Sequence, residues 1–274
     1  MADDRASGGL LGIHGINQSE VTPTAVTEEW TLAVRQAMHS VNESRFADVE
    51  LPVVYYADLY SAGGVAQGIS QLDPRSQALL REWAQTVFPS AAQGPVEYWI
   101  GQLAAAISER LDRVPPWLVE RLMLTGARDA SDYFSQPLLH RAIQLRLAEA
   151  IVDTRPRVLI AHSLGSVVAW ETLTAHPELQ VELLVTLGSP LGTPGVILPR
   201  LEPQPVIGLT RPPGVARWVN VYHPGDLVAA VGSLRPSFPE VDDEFQIDVE
   251  MKDCHHARSY LRSTVVADVV RGVA

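Results

Sequence analysis

The stretch RVLIAH (157–162) has a continuous apolar centre and none of the polar/apolar alternation of a half-exposed strand. A strand of this kind is buried on both faces, which is typical of a parallel sheet covered by helices on each side. A helical pattern, GSVVAWETLTAH (165–176), follows almost at once and stops near Pro177. A buried strand that leads directly into a helix restricts the chain to α/β architectures.

The rest of the chain continues this alternation of strands and helices. Apolar residues at spacings near three and four predict a first helix over 24–41, and similar patterns predict helices over 138–153 and 257–274. Apolar and β-branched runs predict further strands. They lie at 9–13, 49–60, 181–189, 216–223 and 244–251. We therefore expect a single domain over 1–274, with a mostly parallel sheet of about six strands flanked by helices.

Residues 61–136 interrupt the alternation with three helical patterns separated by Gly and Pro. The segment is longer than a connection needs, so we predict a helical cap inserted over one end of the sheet. It contains Trp83, Trp99 and Trp117, and for each of these tryptophans ordinary packing between helices is the simpler interpretation.

Charge and composition exclude several classes of partner. The net charge of −11 argues against a nucleic-acid surface and against attraction to an anionic membrane. No run of about 18 apolar residues is present, so no transmembrane segment is expected. The single Cys254 cannot form an intrachain disulfide, and the polar start MADDRASGG does not resemble a signal peptide. A cytoplasmic location is the expectation, and the sequence identifies no protein partner.

The corner between the strand at 157–162 and the next helix has the order Ala161-His162-Ser163-Leu164-Gly165. Small residues two before and two after the serine let the strand and helix approach closely, and the strained turn exposes the hydroxyl. The helix N-terminus then faces the place where negative charge would develop. Ser163 is therefore a candidate nucleophile, and the alternative is a serine that caps the helix.

Five motifs together resemble a known family. They are IHGIN (13–17), AHSLGS (161–166), LGSPLGTP (187–194), NVYHPGDLVA (220–229) and HHARSYL (255–261). In their order along the chain they are similar to α/β-hydrolases, and within that fold to lipase-like and PGAP1-like serine hydrolases. The resemblance implies an α/β-hydrolase fold with a Ser-His-Asp triad. It leaves out residues 61–136, and Ala161 stands where the family usually has glycine.

A serine hydroxyl needs a general base, and that base needs an orienting carboxylate. In this fold the acid follows the serine in the chain and the base comes last. The resemblance places the acid at Asp226, in the turn HPGD. Asp242 and Asp243 are the competing candidates, although their polar surroundings indicate a solvated loop.

The base is expected just before the final helix, where His255 and His256 are adjacent. Neighbours on an extended loop point to different sides, so only one of them can face the serine. The family often has Tyr-Leu at a fixed distance after this histidine, and the spacing to Tyr260 favours His255. His256 remains the alternative base.

Two backbone N–H groups should stabilise the developing oxyanion. The resemblance assigns them to Leu164, directly after the serine, and to Ile16, in the turn after the first strand. Gly15 permits the close turn there, and His14 is expected to shape that loop. His162 should point away from the reaction, and the segment 188–194 should form a wall of the pocket.

The combined prediction is a serine hydrolase without metal or organic cofactor, acting on a carboxylic ester of a small-molecule or lipid-like acyl substrate. An amidase, peptidase or thioesterase could use the same triad, because fold and triad do not separate these reactions. A non-catalytic protein that binds a partner through the cap is the alternative from another class.

Overall fold

A computed structural model describes residues 9–60, 71–88, 96–111, 115–204, 209–229 and 231–273. Within these ranges six strands form one sheet in which every neighbouring pair is parallel, in the order β2-β1-β3-β4-β5-β6. The strands are β1 (Leu10–Ile13), β2 (Val53–Val54), β3 (Val158–His162), β4 (Val181–Leu187), β5 (Val215–Tyr222) and β6 (Asp243–Gln246). The predicted α/β fold with a helix-flanked sheet of six strands is confirmed.

Eight α-helices lie in the described part of the chain. They are α1 (Pro23–Ser40), α2 (Pro74–Val87), α3 (Val96–Arg110), α4 (Pro116–Ser135), α5 (Pro137–Thr154), α6 (Leu164–Ala175), α7 (Ala257–Leu261) and α8 (Thr264–Arg271). Within the same ranges, no helix combines the length and the apolar character needed to cross a bilayer.

Two of the predicted strands are shorter than the sequence suggested by four residues or more. The strand expected over 49–60 pairs only at Val53–Val54, and a 3₁₀ turn follows at Ala57–Leu59. The chain leaves the sheet because the Tyr56 amide donates to the ring of His14, 3.0 Å away, and not to a neighbouring strand. The strand expected over 244–251 ends at Gln246.

The predicted closing helix over 257–274 is wrong as a single element, because it is divided into α7 and α8. Ser263 lies between them with an extended backbone, and its hydroxyl accepts a hydrogen bond from the Val266 amide at 3.2 Å. The serine thus satisfies an amide at the start of α8, which favours a new helix over continuation of the old one.

The sheet is the middle of three layers. Successive residues of β3 point to opposite faces: Leu159 and Ala161 pack into one apolar core, and Val158 and Ile160 pack into another. The first core includes residues of α5 and α6, and the second includes residues of α1, α7 and α8. The burial of all five residues of β3 explains its continuous apolar run.

Helices α2, α3 and α4 pack on one another around a separate apolar core. Trp99 is buried in it, Trp83 is half-buried and donates its indole N–H to the Leu227 carbonyl at 3.2 Å, and Trp117 is 64% exposed. These helices fall in the segment predicted to be a cap (61–136). Residues 61–70, 89–95 and 112–114 of that segment lie outside the described residues.

A polar cluster joins α4 and α5 to the central helix α6. The carboxylate of Glu171 is fully buried and accepts hydrogen bonds from the Tyr133 hydroxyl and from the Glu202 amide, the latter at 2.8 Å. The ring of His140 contacts it at 2.9 Å and the amide of Gln144 at 3.3 Å. Several donors compensate the buried charge, as an interior carboxylate requires.

The start of α6 lies against the end of β1. Strand β3, which leads into α6, pairs directly with β1 in the sheet. A β-carbon on Gly165 would be 2.4 Å from the carbonyl oxygen of His14 and 2.7 Å from that of Ile13. Both obstacles are backbone atoms, so glycine is the residue that allows this approach.

We expect Gly165→Ala to lower the free energy of unfolding by about 1–3 kcal/mol, because the added methyl group would force backbone atoms apart. Gly101→Ala is the matched control, since it is also in a helix but a β-carbon there has nothing within 4 Å. That control should gain roughly 0.5–1 kcal/mol from helix propensity. Chemical denaturation measures both, and equal stability of the two variants would contradict the packing argument.

Candidate active site

Ser163 occupies the corner between β3 and α6 in a strained conformation. Its φ of 54° lies in the left-handed region, which residues with side chains seldom adopt. Its amide donates to the Leu187 carbonyl at 3.0 Å, and its side chain makes no capping hydrogen bond to α6. Ser163 therefore occupies the N-cap position of α6, as the alternative interpretation had it, but its side chain does not cap the helix.

The imidazole of His255 lies between Ser163 and Asp226. Its Nε2 is 3.0 Å from the Ser163 Oγ, and its Nδ1 is 2.8 Å from Asp226 Oδ2. The serine is 1% exposed and the His255 side chain is 29% exposed. Of the three hydrogen-bonded side chains, the histidine is therefore the one that solvent reaches. The three residues proposed from the sequence are brought together in one hydrogen-bonded line.

Four donors surround the buried carboxylate of Asp226. Its Oδ1 accepts from the amides of Val228 at 2.9 Å and Ala229 at 3.2 Å. Its Oδ2 accepts from His255 and from the Tyr260 hydroxyl at 2.7 Å. Burial raises the pKa of Tyr260 well above its usual value, so the phenol keeps its proton and donates it to Asp226. The carboxylate is thus held in one orientation toward the histidine.

The two competing acids, Asp242 and Asp243, form hydrogen bonds and ion pairs with other residues. Asp242 accepts from the Trp218 amide at 2.8 Å and pairs with Arg211 at 2.6 Å. Asp243 pairs with Arg217 at 2.6 Å on the edge strand β6. Asp226 is connected to Ser163 through hydrogen bonds of His255, and neither of the competing acids takes part in them.

The competing base, His256, takes the N-cap position of α7 and is exposed. Its side chain makes no capping hydrogen bond there. The neighbouring His255 is the histidine that contacts the serine. It lies in the turn between the 3₁₀ helix Met251–Asp253 and α7, and not on the extended loop that the sequence predicted.

His162 contacts the base, which sequence reasoning did not anticipate. Its ring lies 4.8 Å from the ring of His255, and its Nε2 is 2.9 Å from the His255 carbonyl oxygen. Burial lowers the pKa of His162 well below its usual value, so the ring is neutral and carries its proton on the donating Nε2. The prediction that it only points away from the reaction missed this support of the His255 backbone.

The segment 188–194, predicted to form a pocket wall, begins beside the acid and base, so that role is incomplete. Gly188 has a φ of +53°, and a β-carbon there would be 2.8 Å from Asp226 Oδ2 and 3.2 Å from His255 Nδ1. Any larger residue at position 188 would intrude on this pair. Gly188, a residue that suits a tight turn, was the feature of the sequence that could have indicated this close contact.

The two predicted oxyanion donors, Leu164 and Ile16, belong to the segments that adjoin the serine. Leu164 is the first residue of α6, so its amide has no partner within the helix. Gly15 packs so closely that a β-carbon there would be 2.5 Å from the Ser163 β-carbon, which brings the adjacent Ile16 near the serine. Among the described residues, neither the Leu164 nor the Ile16 amide donates a hydrogen bond.

His14 holds the loop that contains Ile16. Its Nδ1 donates to the Gly15 carbonyl oxygen at 2.6 Å, and its Nε2 accepts from the Tyr56 amide at 3.0 Å. Burial lowers the pKa of His14 to about 4, so the ring stays neutral at physiological pH. This geometry agrees with the loop-shaping role expected from the sequence.

No group of three or more His, Cys, Asp or Glu side chains in the described ranges is arranged to hold a metal ion. The single cysteine, Cys254, is buried, and burial raises the pKa of its thiol to about 12. Comparison with protein-family models, with curated proteins and with solved structures gave no match to this chain. The case for a chemical role therefore depends on the geometry of the site itself.

The low pKa of His14 predicts a pH dependence of stability. Between the unfolded value near 6.5 and about 4 the unfolded chain takes up a proton that the folded chain does not. His14 therefore lowers the free energy of unfolding as pH falls through this window, by about 3 kcal/mol in total. Urea denaturation at pH 7 and pH 4 should show a smaller difference in His14→Gln than in wild type. An equal difference would contradict the pKa assignment.

Proposed function

We propose that the protein is a serine hydrolase of the α/β-hydrolase type that cleaves carboxylic esters through an acyl-enzyme intermediate. The observation that carries the proposal is the continuous line from the Ser163 Oγ through the His255 ring to Asp226, with contacts of 3.0 and 2.8 Å. A serine held at a left-handed φ without capping its helix adds support, because such strain is concentrated at functional positions.

The hydrogen bonds determine which nitrogen of His255 acts as the base. Asp226 accepts from Nδ1, so Nδ1 carries the proton and Nε2 presents its lone pair to the serine hydroxyl. As Ser163 attacks the ester carbonyl, its proton passes to Nε2 and the imidazole becomes cationic. The negative charge of Asp226 stabilises that cation and fixes the plane of the ring.

The tetrahedral oxyanion would be held by the amides of Leu164 and Ile16, both without another partner among the described residues. Collapse of the intermediate expels the alcohol, which takes the proton from His255 Nε2. A water molecule then attacks the acyl-serine with His255 again acting as the base, and the acid product leaves.

An ester is the substrate class best supported, since the motifs resemble those of lipase-like hydrolases. An ester also demands less of the catalyst than an amide, because an alkoxide leaves more readily than an amine. The same groups could act on a thioester or an amide, so the substrate panel below includes both.

A fluorophosphonate probe tests the nucleophile directly, because it modifies serines that an adjacent base activates. We expect labelling of the wild type at Ser163, identified by mass spectrometry of the peptide, and no labelling of Ser163→Ala. Circular dichroism should show that both proteins are folded. A folded wild type that is not labelled would overturn the hydrolase proposal.

Turnover of p-nitrophenyl esters of graded chain length, beside anilides and thioesters, tests the acid and base. Asp226→Asn and His255→Ala should each lower kcat by roughly 10⁴-fold, because the ring loses its orientation in one and is absent in the other. His256→Ala is the control and should retain wild-type turnover. Loss of activity in the control with an active His255→Ala would reverse the assignment of the base.

A further inference from the structure

The loop that contains Ile16 depends on a contact from a distant part of the chain. Asn17, the next residue, has a φ of 62° in the left-handed region. Its amide donates to Asp129 Oδ2 at 3.1 Å, 112 residues further along the chain in α4. A strained turn keeps its conformation only where its surroundings hold it, and the Asp129 side chain supplies such a hold.

One face of α4 lies over this loop. Leu122, Gly126 and Asp129 are spaced by four and three residues, so they share a face of the helix. The Leu122 carbonyl accepts from the Asn17 side-chain amide at 3.4 Å. A β-carbon on Gly126 would be 2.7 Å from the Ile16 Cδ1 atom, which shows how closely the helix approaches the loop.

We propose that Asp129 is a positioning residue for the oxyanion donor. Its side-chain oxygen holds the Asn17 amide. Because the Ile16 N–H is joined to that amide through the Ile16 Cα, the hold keeps the N–H directed toward the reacting carbonyl. Turnover then depends on a residue of α4, outside the Ser163–His255–Asp226 line. This inference rests on the proposed function and adds to the same site a residue that positions its oxyanion donor.

The surroundings of Asp129 indicate that it is present at the expense of stability. The residue is 6% exposed, and burial raises its pKa to about 6, although the Asn17 amide and Arg128 oppose the shift. Asp132 on the same helix raises the pKa further. Among the described residues, the charge of Asp129 also interacts with the phenols of Tyr56 and Tyr60. A neutral side chain would be easier to bury here, and the hydrogen bond that the carboxyl accepts from Asn17 offsets part of that cost.

Steady-state kinetics on an ester that the wild type cleaves tests the acceptor role. Asp129→Ala removes the oxygen and should lower kcat 10- to 100-fold with KM within threefold, because the oxyanion forms only in the transition state. Asp129→Asn keeps an acceptor oxygen and should stay within threefold of wild-type kcat. Val119→Ala is the control, since Val119 is also in α4 but is buried in the separate core of α2–α4. It should retain wild-type kcat per folded molecule.

Thermal unfolding of Asp129→Asn gives a readout that does not depend on activity. Since the folded pKa lies above the unfolded value near 3.9, the charge lowers wild-type stability as pH rises from about 4 to 6. The variant should match the wild type in Tm at pH 4 and exceed it at pH 7. If Asp129→Ala fails to fold, Asp129→Leu, which fills the space without an acceptor, takes its place.

Wild-type kcat in the variant without an acceptor would overturn the positioning role while the hydrolase proposal stood. Equal losses in Asp129→Asn, or in Val119→Ala, would also overturn it, because charge or general loosening of α4 would then be the cause. A wild type that is neither labelled by the fluorophosphonate nor active on the panel would overturn the proposed function, and this inference with it.

Discussion

The close contact between the first turn of α6 and the end of β1 is the constraint on which the site depends. Strands β1 and β3 are direct neighbours in a parallel sheet, so their carboxyl ends meet at the same edge. Glycine at positions 15 and 165 removes the side chains that would keep the two turns apart. As a result a strained serine, the first amides of a helix and the loop of Ile16 converge on one point, and a small change in this contact would move all of them.

The acid and the base reach the same point through the other half of the sheet. The ladder continues past the strand ends, where the Ser163 amide bonds to Leu187 and the Gly188 amide bonds to Val221. Because the end of each strand is hydrogen-bonded to the next strand in this way, the turn after β5, which contains Asp226, comes to lie beside the serine. His255 is then held at two points. Its carbonyl oxygen accepts from the His162 ring, and its own ring donates to Asp226. The sheet therefore determines the positions, and the loop residues provide the chemical groups.

Much of the fold was predictable because each strand and helix is encoded by contiguous residues. The buried run of β3, the corner at Ser163 and the order of the polar loop residues are local patterns, and each lies where the sequence placed it. The short β2 and the division between α7 and α8 were not predicted, since they depend on the bond from Tyr56 to His14 and on the cap at Ser263.

The supporting residues of the site were missed for a related reason. Tyr260 was noted in the sequence only for its spacing from His255, and His162 was expected to point away from the reaction. Asp129 is one of several acids on an amphipathic helix. Their partners are 34, 93 and 112 residues away, respectively. The triad contacts span similar distances but were suggested by the family-like motifs, whereas these supporting contacts match no motif in the sequence and are established only by the packed chain.

Helix α4 packs into two separate apolar cores, and each core can act as a cooperative unit. Its N-terminal half is buried in the core shared with α2 and α3, whereas Tyr133, near its C-terminal end, bonds to Glu171 in the central helix. Segments with separate cores open separately, and their amide protons exchange with solvent at separate rates. An opening that begins in α2 and α3 can therefore proceed along α4 until it meets the buried carboxylate. Protection against exchange should accordingly rise along this one helix, with its turns from Gly126 to Asp129 at the boundary between the two units.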